Sequence, residues 1–72
     1  MQNLIDGFYT VKQARQFAGY SQQAIAKEMD IDVGTYRRIE ENPDKASVEN
    51  AKKFCAIVGL PLDRVFFIAN ST

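Results

Sequence analysis

The stretch over residues 21–41, Ser-Gln-Gln-Ala-Ile-Ala-Lys-Glu-Met-Asp-Ile-Asp-Val-Gly-Thr-Tyr-Arg-Arg-Ile-Glu-Glu, limits what this chain can fold into more than any other. It reads as two short helices joined by a tight turn. Ser21 opens the first, because its hydroxyl can accept a hydrogen bond from an otherwise unpaired amide, and Ile25 and Met29 then fall four residues apart on one face. Asp32 is the corresponding cap of the second helix, with Tyr36 and Ile39 on its buried side. Between them Met29-Asp30-Ile31 alternates apolar, polar, apolar, the pattern of a turn pinned to a core at both ends. Ala26 is the small residue where the two helices cross most closely.

The flanking sequence supplies further helices. Thr10-Val11-Lys12-Gln13 has the spacing of a capping box, which starts a helix over 11–18 with Val11, Ala14 and Ala18 inward, Arg15 beside them, and Gly19 as the left-handed stop. Residues 1–9, with Leu4, Ile5, Phe8 and Tyr9 around Asp6-Gly7, are too apolar for a loose tail and read as a strap on the body. Asn42-Pro43-Asp44-Lys45-Ala46 is a turn by composition, since Pro43 cannot continue a helix. Ser47 caps a fourth helix over 48–58, carrying Val48, Ala51, Cys55 and Val58 inward and ending at Gly59. Pro61 suits the first turn of a fifth helix, with Leu62, Val65 and Phe66 on one side. Phe67 and Ile68 add apolar area on its other side, a candidate dimer surface. The expectation is an all-α, compact five-helix domain occupying residues 1–72 as one unit, with 46% hydrophobic content sufficient for one small core.

Composition removes several function classes. With no histidine and one cysteine, Cys55, neither a Cys/His zinc site nor a histidine-based catalytic triad can be assembled, so no metal and no cofactor are expected. Gly7, Gly19, Gly34 and Gly59 are isolated punctuation rather than a phosphate loop, and no catalytic residue is assigned. A single unpaired cysteine fits a reducing compartment, and Val65-Phe66-Phe67-Ile68-Ala69 is too short an apolar run to span a bilayer. A cytoplasmic protein with no membrane partner is expected. Nine basic and nine acidic residues cancel, whereas nucleic-acid binders usually carry an excess of positive charge. Distribution matters more than the sum, because counterion release depends on the lysines and arginines that meet phosphates, and Arg37 and Arg38 are adjacent on the proposed second helix of the pair.

Helix, short turn and second helix together suggest a DNA-binding helix-turn-helix. Ala18-Gly19-Tyr20-Ser21-Gln22, Ile25-Ala26, Met29-Asp30-Ile31, Thr35-Tyr36-Arg37-Arg38-Ile39-Glu40 and Gly59-Leu60-Pro61-Leu62-Asp63-Arg64-Val65-Phe66 together resemble the small helix-turn-helix domains of phage lambda-type repressors and Cro proteins, the xenobiotic-response-element (XRE) type. The resemblance covers nearly the whole chain. It implies a five-helix bundle that binds a double-stranded DNA operator as a homodimer and regulates transcription. It also implies roles: Gln22 as a phosphate-contacting anchor, Val33, Gly34, Arg37 and Arg38 at positions that touch base edges, Thr35 at a phosphate, and Arg15 with Glu40 as a structural ion pair. Lys45, in the loop after the reading helix, is a further candidate phosphate contact. Two positions depart from the family pattern: Asp30 stands where the turn usually has glycine, and Val33-Gly34 offers no side-chain amide to bond adenine.

An arginine at the major-groove edge can donate two bonds to guanine O6 and N7, a contact worth roughly 1–3 kcal/mol in discrimination. Arg38 is the first choice for that role. Arg37, about 100° further around the helix, reaches a second base or a phosphate. The plain alternative for Arg38 is a solvated surface arginine, and for Val33 an ordinary first-turn residue. Tyr36, Ile39 and Cys55 are read as core. Glu41 and Asp44 lie close to this face and repel phosphate. A rival from another class is a protein-interaction module of the same fold, antirepressor-like or antitoxin-like, which the neutral charge and apolar C-terminal segment favour. An antirepressor or other regulatory protein is also a conceivable partner of a DNA-binding form.

Overall fold

A computed structural model of the chain describes residues 8–65. Over that span the backbone forms four α-helices: α1 (Val11–Phe17), α2 (Gln22–Met29), α3 (Val33–Glu41) and α4 (Val48–Val58). Short 3-10 turns lie at Pro43–Lys45 and Leu62–Arg64. Each α-helix starts where a short polar side chain can accept from its first free amides. The Thr10 hydroxyl accepts from the Gln13 amide at 3.0 Å, and the Gln13 side chain accepts from the Thr10 amide at 3.0 Å, closing the expected box. Ser21, Asp32 and Ser47 accept in the same way from the amides of Ala24, Gly34 and Asn50, each at 3.0 Å.

Three of the helices also end alike. The amides of Tyr20, Ile31 and Leu60 reach back five residues to the carbonyls of Arg15, Ala26 and Cys55, at 3.1, 3.0 and 3.2 Å. That return needs a left-handed residue just before the donor. Gly19 and Gly59 provide it at φ +87° and +79°, and Asp30 provides it at φ +60°. Among the described residues Asp30 is the one non-glycine with positive φ. Asp tolerates this region better than most side chains, which is how the turn between α2 and α3 keeps the geometry without glycine.

The core gathers Val11 and Ala14 from α1, Ile25, Ala26 and Met29 from α2, Tyr36 and Ile39 from α3, and Ala51, Phe54, Cys55 and Val58 from α4, closed by Val65. The rings of Tyr36 and Phe54 stack with centroids 6.3 Å apart and planes 20° from parallel. Burial pushes the Cys55 thiol pKa up, in keeping with a packing role. Among the described residues, no buried side-chain nitrogen or oxygen lacks a partner.

Two expectations are corrected. Val48 is 68% exposed rather than inward, and Phe54, at 0%, takes the place on the buried stripe. Side chains lean toward the N-terminus of their helix, so the first residue of α4 projects past the helix end instead of onto the core below it. The fifth helix is also absent from the described residues, and the all-helical bundle has four α-helices there rather than five. Pro61 stays extended at φ −68°, ψ 150°, the chain makes one 3-10 turn, and Val65 extends again at φ −112°, ψ 135°. Val65 forms a parallel bridge with Tyr9, whose amide donates to the Arg64 carbonyl at 2.8 Å. A continued helix would forfeit that bridge and the burial of Val65, which is 5% exposed. Of the expected strap over 1–9, only Phe8 and Tyr9 are described, and Phe66, Phe67 and Ile68 lie outside the described residues.

Candidate nucleic-acid interface

Helix α3 has two unlike sides. At about 100° per residue, Gly34, Arg37, Arg38 and Glu41 share one side, and Tyr36, Ile39 and Glu40 the other. Tyr36 and Ile39 are buried, the Glu40 side chain is largely buried, and Arg37, Arg38 and Glu41 are exposed. The apolar pair fastens the helix to α2 and α4, which leaves its cationic side facing outward. Neither Arg37 nor Arg38 is in an ion pair among the described residues.

Beneath that surface lies a hydrogen-bonded cluster on Glu40. Arg15 Nε donates to Glu40 Oε2 at 2.5 Å, and the side chains of this ion pair are only 10% and 8% exposed. The Tyr36 hydroxyl donates to the same oxygen at 2.6 Å. Gln22 Nε2 donates to the other carboxylate oxygen, Oε1, at 3.0 Å. Arg15 Nη1 also donates to the Tyr20 carbonyl at 2.8 Å, so the guanidinium ties α1, the connection before α2, and α3 together. Burial by itself would raise the Glu40 pKa, but the bonds from Arg15, Tyr36 and Gln22 outweigh it and hold the carboxyl below its ordinary value. For Arg15 burial works against the charge, and Glu40 more than restores it. Burial, then the bond to Glu40, push the Tyr36 phenol well above its ordinary pKa, so it stays protonated as a donor.

The two flanks of the outward side differ. Toward the N-terminus of α2, Arg37 Nε donates to Gln22 Oε1 at 3.3 Å. Toward the 3-10 turn, Thr35 and Arg38 line a cleft of about 310 Å³ with Asn42, Lys45, Ser47 and Asn50. Two cations, a hydroxyl pair and two amides thus surround one groove, a donor set suited to phosphate oxygens. Gly34 needs no special backbone angle, and a Cβ there would meet only the Asp32 carboxylate oxygen at 3.0 Å. Val33 packs partly against the core, so only part of it reaches outward. Phe67 and Ile68, the expected dimer surface, fall outside the described residues.

Glu41, which the sequence reading puts close to this face, shares the outward side with both arginines, its spacing being four from Arg37 and three from Arg38. The structure adds residues that sequence reasoning did not assign to the site. Asn42, Ser47 and Asn50 join the cleft only because the 3-10 turn folds the start of α4 back beside α3. No local sequence pattern carries that information.

Residues 11–65 match the model of the helix-turn-helix family, in its XRE type of lambda repressor-like and Cro-like domains. The chain belongs to that family, one of DNA-binding regulators of transcription. Comparison with curated proteins and with solved structures gives no match. Family membership makes this a DNA-binding regulatory domain of a typically non-enzymatic kind. Among the described residues no helix is long and apolar enough to cross a membrane, and no group of three or more acidic or cysteine side chains is placed to hold a metal.

Proposed function

We propose that the protein is a transcriptional repressor that binds an approximately palindromic operator as a homodimer, inserting α3 into the major groove. The observation that carries this is the outward side of α3. Two arginines without a carboxylate partner among the described residues project from a helix whose opposite side is locked to the core by Tyr36, Ile39 and Glu40. A rigid helix presenting guanidinium groups at base-edge height is the arrangement that reads guanine O6 and N7.

In this reading Arg38 and Arg37 bond base edges, Val33 packs on a thymine methyl, and Gly34 lets the backbone approach the groove. Gln22 and Thr35 meet phosphates on either side, with Lys45 from the 3-10 turn. Two such helices in a dimer enter successive major grooves about 34 Å apart. Phe67 and Ile68 supply the dimer contact. Release from DNA comes from dimer dissociation or from a competing protein such as an antirepressor.

Selection from a random-duplex pool, followed by binding at several salt concentrations, tests the reading. A palindromic consensus and affinity that falls steeply with salt are the expected results. Recovery of no consensus overturns it. The second reading, a protein-interaction module of the same fold, draws on the neutral net charge and on Phe17, which is 70% exposed. Salt-insensitive, weak binding to every duplex would favour that module.

A further inference from the structure

Both ends of the Gln22 side chain are hydrogen-bonded to side chains of α3, which leaves one amide N–H for a phosphate. Its Nε2 donates to Glu40 Oε1 at 3.0 Å, and its Oε1 accepts from Arg37 Nε at 3.3 Å. Glu40 cannot turn away from this contact, because its other oxygen is held by Arg15 and by the Tyr36 hydroxyl. An ionised carboxylate only accepts, so the Gln22 amide must present its NH2 group to Glu40. The flipped amide would set oxygen against oxygen. The Gln22 carbonyl is therefore aimed outward along a fixed line, and the Nε–H of Arg37 lies on it.

From this chain of contacts we infer that Gln22 is a positioning residue for base reading, one that aims the Arg37 guanidinium before DNA arrives. The inference rests on the reading of α3 as the helix in the major groove. The relay runs from the buried Arg15–Glu40 pair through a neutral amide to the surface, so the orientation of an exposed side chain is set from the core. With Nε–H occupied, Arg37 keeps its two terminal nitrogens for a base, and it contacts guanine end-on through them. Restricting a long side chain in advance also removes part of the ordering cost of binding. Arg38 is treated differently: its guanidinium has no hydrogen-bond partner among the described residues and faces the cleft shared with Lys45. The two adjacent arginines are thus unequal, one aimed and one left to adapt.

The test uses the full chain as wild type, Arg37→Ala, Gln22→Met and the double variant, each taken through random-duplex selection. Methionine keeps the length of glutamine and removes both bonds. Arg37→Ala identifies the base pair read by Arg37, and Gln22→Met is expected to lower discrimination at that pair alone, by roughly 3- to 10-fold. The double variant is expected to discriminate no worse than Arg37→Ala. A Gln22→Met variant that binds every duplex more weakly with unchanged base preference overturns the inference and leaves Gln22 a phosphate anchor. So does an Arg37→Ala variant that changes preference at no base pair. Absence of any sequence preference in the wild type removes the DNA reading itself, and the inference with it. A measurement without DNA separates the two failures. Exchange of the Arg37 Nε proton with water, followed by NMR, is expected to be slowed in the wild type and fast in Gln22→Met, and equal rates overturn the relay whatever DNA does.

Discussion

On its inner side α3 offers Tyr36, Ile39 and Glu40, each engaged by partners from other helices or by the helix's own buried neighbours. On its outer side it offers Arg37, Arg38 and Glu41, which are exposed and, apart from the Arg37–Gln22 bond, make no side-chain hydrogen bond or ion pair among the described residues. The helix thus divides into a set that fixes where it lies and a set left largely to solvent. Native proteins do not usually place adjacent arginines on a rigid face without carboxylate partners for the sake of the fold, since exposed charges contribute little to stability. From this division we expect substitutions on the inner side to act on folding, those on the outer side to act on DNA binding, and few to act on both.

The largest effect belongs to Tyr36→Ala. Removing a fully buried aromatic ring stacked on Phe54 costs about 3–5 kcal/mol, a large share of what a chain this size has. Chemical denaturation should find the variant close to unfolded. Tyr36→Phe is the finer version: the ring stays and Glu40 loses one donor, which costs about 1–2 kcal/mol. A Tyr36→Ala protein as stable as wild type would mean that α3 is not held from within as described.

Next comes the ion pair. Arg15→Met leaves a buried carboxylate without its cation and is expected to cost about 2–4 kcal/mol at neutral pH. Acid supplies the sign check. The Glu40 pKa in the folded protein lies below its unfolded value of about 4.3, so its contribution is present above that pH and is lost as pH falls through the lower folded value. Arg15→Met raises the folded pKa of Glu40, so the gap between variant and wild type should narrow as pH falls from neutral through the variant's folded value toward the lower one of the wild type. Denaturant titrations at neutral pH and in acid measure both numbers, and a gap that widens in acid would contradict the assignment.

Arg38→Ala probes the outer side. Unfolding should shift by no more than about 0.5 kcal/mol, while discrimination at one base pair of the operator falls by about 1–3 kcal/mol. Equal base preference in wild type and variant would remove Arg38 as a reader. A large loss of stability would instead erase the contrast between the two sides.

How much of this was legible in the sequence follows from the range of each interaction. The caps at Thr10, Ser21, Asp32 and Ser47 depend on residues at most three apart, and all four stand where the spacing puts them. The inner pair Tyr36 and Ile39 follows from helical periodicity. The exchange of Val48 for Phe54 was not legible from periodicity alone, because periodicity ignores the lean of side chains at a helix start. Leu62, Val65 and Phe66 span too few residues to separate an α-helix from a 3-10 turn. What decides between them is Tyr9, at the other end of the chain. The position of Gln22 between Glu40 and Arg37 likewise depends on how α2 meets α3, so its two side-chain bonds could not be read from local spacing.

The smallest effect tests the joint between α2 and α3, which sets the angle at which the outer side is presented. Asp30 holds a left-handed conformation at φ +60° that glycine holds in the matching turns after α1 and α4. Asp30→Gly should therefore stabilise the fold by about 0.5–1 kcal/mol, the relief of the left-handed strain less the extra freedom glycine has when unfolded. Thermal unfolding reads the gain. DNA affinity should hold or rise slightly, because the turn keeps its geometry and one negative charge leaves the molecule. A loss of affinity with a gain in stability would show that the Asp30 side chain itself takes part in presenting the helix, and the line between the two sides would have to be redrawn to pass through the turn.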